Sequence, residues 1–458
     1  MSGAQGPRIR RRSRLLHLAL AVVLPACVLA GACEKEERGP VDCGTAGPPS
    51  LPFPRTATTY LDQHVLPPVE ELARYDVVVL DHEWAHRVPR TFFDEIRALN
   101  PGVRLLAYVN VVDYPEQLGT RDYWGDRYKL WQFDTATDST FPAQWLATTQ
   151  DGSRVSQWPH TVMANLTDQA PSLDGRIYAD YAADWVVDSV WSTGVWDGIF
   201  LDVWGDRIFG ADHDRWDIDL NGTDESEDQI YGVGGPWERG IDRAEVRMRQ
   251  RMPGAVVVAN GERTLRGGQL DGRVWESFAD PEVRSAPLTD IDRYVEVSSG
   301  TGHRLPGLTI TIDKRRTAPG TEQDFRRARF FLAATLLQNG YWAPMGIDYS
   351  ELSYYDEMDG GGLGRGYLGQ PLMANPCPAA MSQEFADGFG STSEGVFRRD
   401  FDNGIVLLNT GTEPANITLE RPYQRLTGTQ DPATNNGQTV DEVTLVPQDG
   451  LVLLRSPE

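Results

Sequence analysis

Short apolar runs that alternate with amphipathic stretches set the tightest limit on what this chain can fold into. Tyr75–Asp81 (YDVVVLD), Arg104–Val111 (RLLAYVNV), Thr161–Leu166, Gly198–Val203, Ala255–Asn260 (AVVVAN), Arg273–Phe278, Leu308–Ile312 and Tyr341–Met345 each read as a buried strand. Between them lie helical patterns at Pro89–Leu99, Ile177–Ser192, Trp237–Met252 and Glu322–Gln338. Proline opens the first of these, and Pro253-Gly254 closes the third. Strand and helix in alternation predict a parallel sheet with helices outside. Eight units within roughly 300 residues predict a closed (β/α)8 barrel, an α/β fold. A doubly wound open sheet is the rival, but no glycine fingerprint for a nucleotide follows the first strand.

After Pro376 the pattern changes. Residues 395–455 alternate short strands with Gly, Asn, Asp and Pro, and predict a small antiparallel β domain. The expected division is a leader at 1–33, a tether at 34–50, the barrel at 51–375 and the β domain at 376–458. A long aromatic-rich excursion, Asp113 to His160, reads either as a substrate-facing loop or as a surface subdomain.

The net charge of −23 repels polyanions, and no basic patch follows the leader, so no nucleic-acid partner is expected. The leader itself is basic (Arg8, Arg10, Arg11, Arg12, Arg14) and then apolar, broken by Pro25. It is short for the ~20 apolar residues of a membrane span. Its end, Leu29-Ala30-Gly31-Ala32-Cys33, resembles a bacterial lipoprotein signal, with Cys33 as the lipidated residue. Leu24-Pro25-Ala26-Cys27 and a cleaved signal without lipid are the alternatives. The expectation is a secreted monomer at the bacterial cell envelope or outer surface, touching the membrane only through that lipid. Cys43 and Cys377 either pair or stay as separate thiols.

In a parallel barrel the reactive groups stand at the C-terminal ends of the strands. Those ends offer Asp81, His82 and Glu83, then Tyr108 and Asn110, Asn165 and Asp168, Asp202, Asn260 and Glu262, Glu276, Asp313 and Lys314, and Asp348. No trio has zinc spacing and no Gly-x-Ser-x-Gly elbow is present. Carboxylates, amides and aromatics remain, a set suited to sugar hydroxyls and sugar faces. Two carboxylates suffice to cleave a glycosidic bond, one as proton donor and one as nucleophile or base. Asp202 and Glu276, on the fourth and sixth predicted strands, fit that pair. Apolar neighbours Trp275 and Phe278 predict a raised pKa and the donor role for Glu276, leaving Asp202 as nucleophile or base. Glu262 is the alternative acid. His82, Glu83, Tyr108, Asn110, Asn165, Trp204, Asn260 and Glu262 are expected to bind substrate. No cofactor is required for this chemistry.

Asp217-x-Asp219-x-Asn221-Gly222-x-x-Glu225-x-x-Asp228 has the acidic spacing of a calcium loop. Asp217, Asp219, Asn221, the Thr223 carbonyl, Glu225 and Asp228 would be the ligands, with Gly222 at the turn. A structural Ca2+ there would stiffen the wall beside Asp202.

The sequence also resembles bacterial glycoside hydrolases of a hypothetical glycosyl hydrolase type with a TIM barrel, distantly similar to polygalactosaminidase-like enzymes. The resemblance rests on Asp197-Gly198-Ile199-Phe200-Leu201-Asp202, on Trp275-Glu276-Ser277-Phe278, on Tyr355-Asp356-Glu357-x-Asp359 before Leu363-Gly364, and on the run from Phe397 to Asn409 (FRRDFDNGIVLLN). It spans most of Tyr75 to Arg455. It implies the barrel, a polysaccharide or oligosaccharide substrate, and Asp202 and Glu276 as acidic candidates. A non-catalytic surface glycan-binding lipoprotein is the competing expectation. A deacetylase-type metal hydrolase is a third, for which only scattered histidines are available.

Overall fold

The computed structural model describes Cys43 and residues 51–62, 64–115, 141–280, 287–304, 307–381, 383, 385, 388–392 and 395–455. The leader with Cys33, the tether from 34 apart from Cys43, and 116–140 of the long excursion lie outside these residues.

Eight strands form one parallel sheet in chain order. They are β1 (Ala57–Tyr60), β2 (Val77–Asp81), β3 (Arg104–Val109), β4 (Gly198–Leu201), β5 (Val256–Asn260), β6 (Gly272–Glu276), β7 (Ile310–Lys314) and β8 (Tyr341–Met345). The Trp342 N–H donates to the Arg55 carbonyl at 3.0 Å, and Thr56 bridges Trp342 in parallel, so β8 meets β1 and the ring closes. Alternation along each strand fills both sides. Val77, Val79, Leu106, Phe200, Val258, Val274, Ile310 and Ile312 form the cluster inside the barrel. Val78, Leu80, Leu105, Ala107, Ile199 and Val257 face the outer layer instead. At Gly198 a Cβ would fall 2.0 Å from the Val256 carbonyl oxygen, so only glycine lets β4 come this close to β5.

The expected count of eight strands holds, but two members differ. The first barrel strand is Ala57–Tyr60, whose sequence ATTY lacks the continuous apolar run that marks the others. Its polar Thr58 and Thr59 are buried all the same. The expected strand at Thr161–Leu166 is not in the barrel. Thr161–Met163 pairs antiparallel with Asp113–Pro115, because the place beside β3 is taken by β4, with Leu106 opposite Gly198.

The outer helices include α1 (Arg90–Leu99), α2 (Tyr178–Trp185), α3 (Pro236–Arg251), α4 (Pro287–Ser299) and α5 (Glu322–Leu336). Asp180 and Asp184 on α2 each take a two-pronged bond from Arg243 and Arg247 on α3, matching i,i+4 rows across the pair. Among the described residues no helix is long and apolar enough to cross a membrane.

The C-terminal strands β9 (Phe389–Ser391), β10 (Val396–Phe401), β11 (Gly404–Asn409), β12 (Ala415–Arg425), β13 (Thr439–Leu445) and β14 (Asp449–Arg455) form an antiparallel sheet in the order β9-β10-β11-β14-β12-β13. Two buried arginines join it to α5. Arg329 of α5 pairs with Asp431 at 2.5 Å and Asp449 at 3.2 Å. Arg399 of β10 donates to the Leu336 and Gln338 carbonyls at 2.9 and 2.7 Å, at the negative end of the α5 dipole. Cys43 and Cys377 form a disulfide, which settles the two readings of that pair.

Candidate active site

At the C-terminal rim of the barrel, five strands and one loop aim polar side chains into a cavity of about 600 Å3. Tyr108 from β3 donates its hydroxyl to Asp202 Oδ2, just past the end of β4. Asn260 Nδ2, at the end of β5, donates to Asp202 Oδ1 at 2.8 Å and to Glu276 Oε2 at 3.2 Å. Lys314 Nζ from β7 and the Tyr349 hydroxyl beyond β8 both donate to Glu276 Oε1, the tyrosine at 2.6 Å. Because one nitrogen bonds both acids, their bridged oxygens lie no more than about 6 Å apart, within reach of one glycosidic bond.

The two carboxyl groups differ in their surroundings. Burial pushes Asp202 above the ordinary aspartate range, and the nearby Glu276 charge adds to the rise against hydrogen bonds from Tyr108 and Asn260. Burial would also raise Glu276, but the Lys314 cation overrides it and holds the group below the ordinary glutamate range. This corrects the expectation that Glu276 carries the raised pKa. Trp275 packs edge-on against Phe278 and Tyr294, so it is not the neighbour that sets the charge on Glu276. The neighbours that do so come from adjacent strands.

The backbone is strained just past each acid. Val203 follows Asp202 with φ 55°, and Ser277 follows Glu276 with φ 53°. A β-branched residue in this region is an outlier that surrounding structure must enforce. The Val203 N–H turns back to Asp202 Oδ1 at 2.9 Å.

The model of Hypothetical glycosyl hydrolase family 15 matches residues 97–405, two thirds of the chain. The chain belongs to that family. The matched span carries all six of these side chains. Solved structures with similarity include the glycoside hydrolase domain of PelA from Pseudomonas aeruginosa, at 15% identity and TM-score 0.39, covering 66% of this chain and 98% of that one. An Anoxybacillus alpha-amylase is 10% identical with TM-score 0.44, covering 85% of this chain and 88% of the other. A cycloalternan-forming enzyme from Listeria monocytogenes is 13% identical with TM-score 0.45, covering 90% and 42%. No curated protein matches.

In this glycosyl hydrolase family member, the sequence-selected residues divide into two groups. Asp202, Glu276, Tyr108, Asn110, Asn260 and Glu262 line the cavity. Asn110 also bonds Asp113 at 2.7 Å, and Glu262 pairs with Arg293 at 3.2 Å. His82, Glu83, Asn165 and Trp204 do not line it. His82 is buried edge-on to Trp185 with Nδ1 3.2 Å from the Tyr108 carbonyl, and Glu83 pairs with Arg87. Asn165 holds a turn through Thr167 and donates to the Ile218 carbonyl at 2.7 Å. The Trp204 indole donates to buried Glu245 at 2.9 Å, on the helix side. A strand-end position is therefore not enough, since alternate side chains leave the mouth. Lys314 stood among the strand-end residues without a role, and Tyr349 was missed. Only the fold brings either to Glu276.

The turns behind Asp202 and Asn260 share one anchor. Arg263 is fully buried and bonds Glu245 at 2.8 Å, Asp206 at 2.6 Å and Asp242. In the acidic loop, Asp217, Asp219 and Glu225 bring carboxylate oxygens within 4.8 Å of one another. The Asp217 oxygens take the Asn221 and Gly222 N–H groups at 3.0 and 2.7 Å, and Gly222 has φ 89°. Asp228 does not join this group. It lies in the first turn of the short helix Glu227–Tyr231 and is exposed, while Thr223 is exposed before it.

Proposed function

We propose that this chain hydrolyses a glycosidic bond of an oligosaccharide or polysaccharide by double displacement, with Asp202 as proton donor and Glu276 as nucleophile. The shared Asn260 amide carries the reading, since it brings one oxygen of each acid to within about 6 Å of the other, nearer the carboxyl spacing of retaining enzymes (about 5–5.5 Å) than most of the inverting range (about 6.5–9.5 Å). The protonation pattern supports the roles. Of the two carboxyls, the one raised by burial and by a neighbouring anion is the better proton donor to the leaving oxygen. A carboxylate held ionised by Lys314 is ready to attack.

In the first step the Asp202 proton passes to the glycosidic oxygen as that C–O bond breaks, and a Glu276 oxygen bonds the anomeric carbon as an ester. The negative charge of Glu276 is thereby removed, so Asp202, now a carboxylate, can deprotonate water. That water cleaves the ester and restores both groups. The product keeps the anomeric configuration of the substrate. Proton NMR during the first minutes of hydrolysis tests this: the retained anomer should appear first, and the inverted anomer would overturn the mechanism.

Asp217, Asp219 and Glu225 fit a structural calcium ion in the same reading. Oxygens 4.8 Å or less apart can share an ion bonded at about 2.3–2.6 Å, and the Asp217 bonds to Asn221 and Gly222 wrap the loop around the central glycine. The loop is tied to the 148–150 segment by Asp217 N–H to Thr148 O at 2.9 Å and Gln150 N–H to Asp224 at 2.6 Å. Millimolar Ca2+ is expected to raise the melting temperature by about 3–5 °C, and Asp219→Asn to abolish the rise. An unchanged wild-type melting temperature removes the ion from this account. The Cys43–Cys377 disulfide supports an oxidising compartment, in keeping with export and lipid attachment at Cys33.

A further inference from the structure

We propose that Trp158 and Phe209 form an aromatic subsite that grips a sugar ring beyond the two joined by the cleaved bond, which makes a chain of pyranose units the substrate. The inference rests on the glycosidase reading above. Both residues line the catalytic cavity, yet Trp158 is 58% and Phe209 50% exposed. Large aromatics with most of their faces in water gain little packing energy where they stand. Single exposed apolar side chains are ordinary, but two lining the same catalytic cavity offer surface for an apolar face. The C–H face of a pyranose is such a face.

The backbones that carry these rings are fixed. The Trp158 carbonyl accepts from the Thr161 N–H at 3.1 Å, the Thr161 hydroxyl at 2.9 Å and the Ser156 hydroxyl at 2.7 Å. The two loops are stitched together by Ser156 N–H to Asp212 at 2.8 Å, Asp212 N–H to the Ser156 carbonyl at 2.9 Å, and Gln157 Nε2 to the Phe209 carbonyl at 3.0 Å. The Arg207 guanidinium stands over the Phe209 ring, 5.3 Å from its centre, and pairs with Glu227. The result is two solvent-facing rings on anchored loops, both lining the pocket that holds Asp202 and Glu276. A platform set before binding loses little freedom when a ring settles on it.

The test uses the full chain carrying Asp202→Asn, so that bound sugars are not consumed. An array of immobilised α- and β-linked hexose and N-acetylhexosamine oligosaccharides of two to six units supplies the probe. For the sugar type that binds, Trp158→Ala and Phe209→Ala should each weaken binding of the longer oligomers by about tenfold. Binding of the disaccharide should be unchanged, and Trp158→Phe should retain most of the affinity. Melting temperatures should not move, because the rings are exposed. Unchanged affinity for the longer oligomers, an equal loss on the disaccharide, or an array on which nothing binds would each overturn the subsite. Length-dependent binding without turnover by the wild type would sink the hydrolase reading and leave the subsite standing. Normal turnover with an unchanged length preference in Trp158→Ala would do the reverse.

Discussion

Glu276→Gln is expected to lower turnover by about 10^4-fold while leaving the fold and sugar binding intact. The amide keeps the size of the carboxyl group, and its oxygen can still accept from Lys314 and Tyr349, although its NH2 then faces the Asn260 donor and that one bond is lost. It cannot form the ester. The loss should therefore fall on kcat, with KM little changed. A small anionic nucleophile such as azide offers a second readout. With Glu276→Ala it can fill the vacated space and attack the anomeric carbon, giving a glycosyl azide of inverted configuration. A variant that turns over at more than a tenth of the wild-type rate would remove Glu276 from the chemistry. Its cavity would then be better described through Glu262, another carboxylate that lines it.

Lys314→Met should have the next largest effect, about 10^2-fold on turnover, with a displaced pH profile. The reaction requires Glu276 ionised and Asp202 protonated. The rate therefore rises with pH as Glu276 loses its proton, in a range lowered by Lys314. It falls as Asp202 loses its proton, in a range raised by burial and by the Glu276 charge. The result is a bell. Without the lysine, the strongest opposition to burial at Glu276 is gone and the Tyr349 and Asn260 hydrogen bonds remain, so the acid limb must move to higher pH. A profile of kcat/KM against pH checks this directly. An acid limb that stays in place, or moves to lower pH, would show that Lys314 does not set the charge of Glu276.

Much of this was legible in the chain, for physical reasons that differ by residue. Strands such as VVVLD and AVVVAN announce themselves because both faces are buried and every position before the last is apolar. The barrel followed from their alternation with helices. ATTY at the start of the ring gave no such signal, because its threonines are buried without being hydrophobic. Thr161–Leu166 gave a false one, because a short apolar run reads the same whether it joins a barrel or a separate antiparallel pair. Asp202 and Glu276 could be picked out as acids at strand ends. Their protonation could not, because it depends on burial and on Tyr108, Asn260, Lys314 and Tyr349, which are remote from the acids in sequence and meet them only in the fold. Trp204 and His82 failed for the opposite reason. They stand near strand ends, but their side chains are buried away from the cavity against Glu245 and Trp185.

Two left-handed residues, Val203 and Ser277, follow immediately upon the two acids. The carboxyl groups are thus mounted on bends rather than on the straight ends of strands. Copying Asp202 and Glu276 alone onto another eight-stranded scaffold would reproduce their identities and lose their aim. What a designer would have to transplant is each acid together with the awkward residue after it, and enough surrounding framework to keep that residue bent.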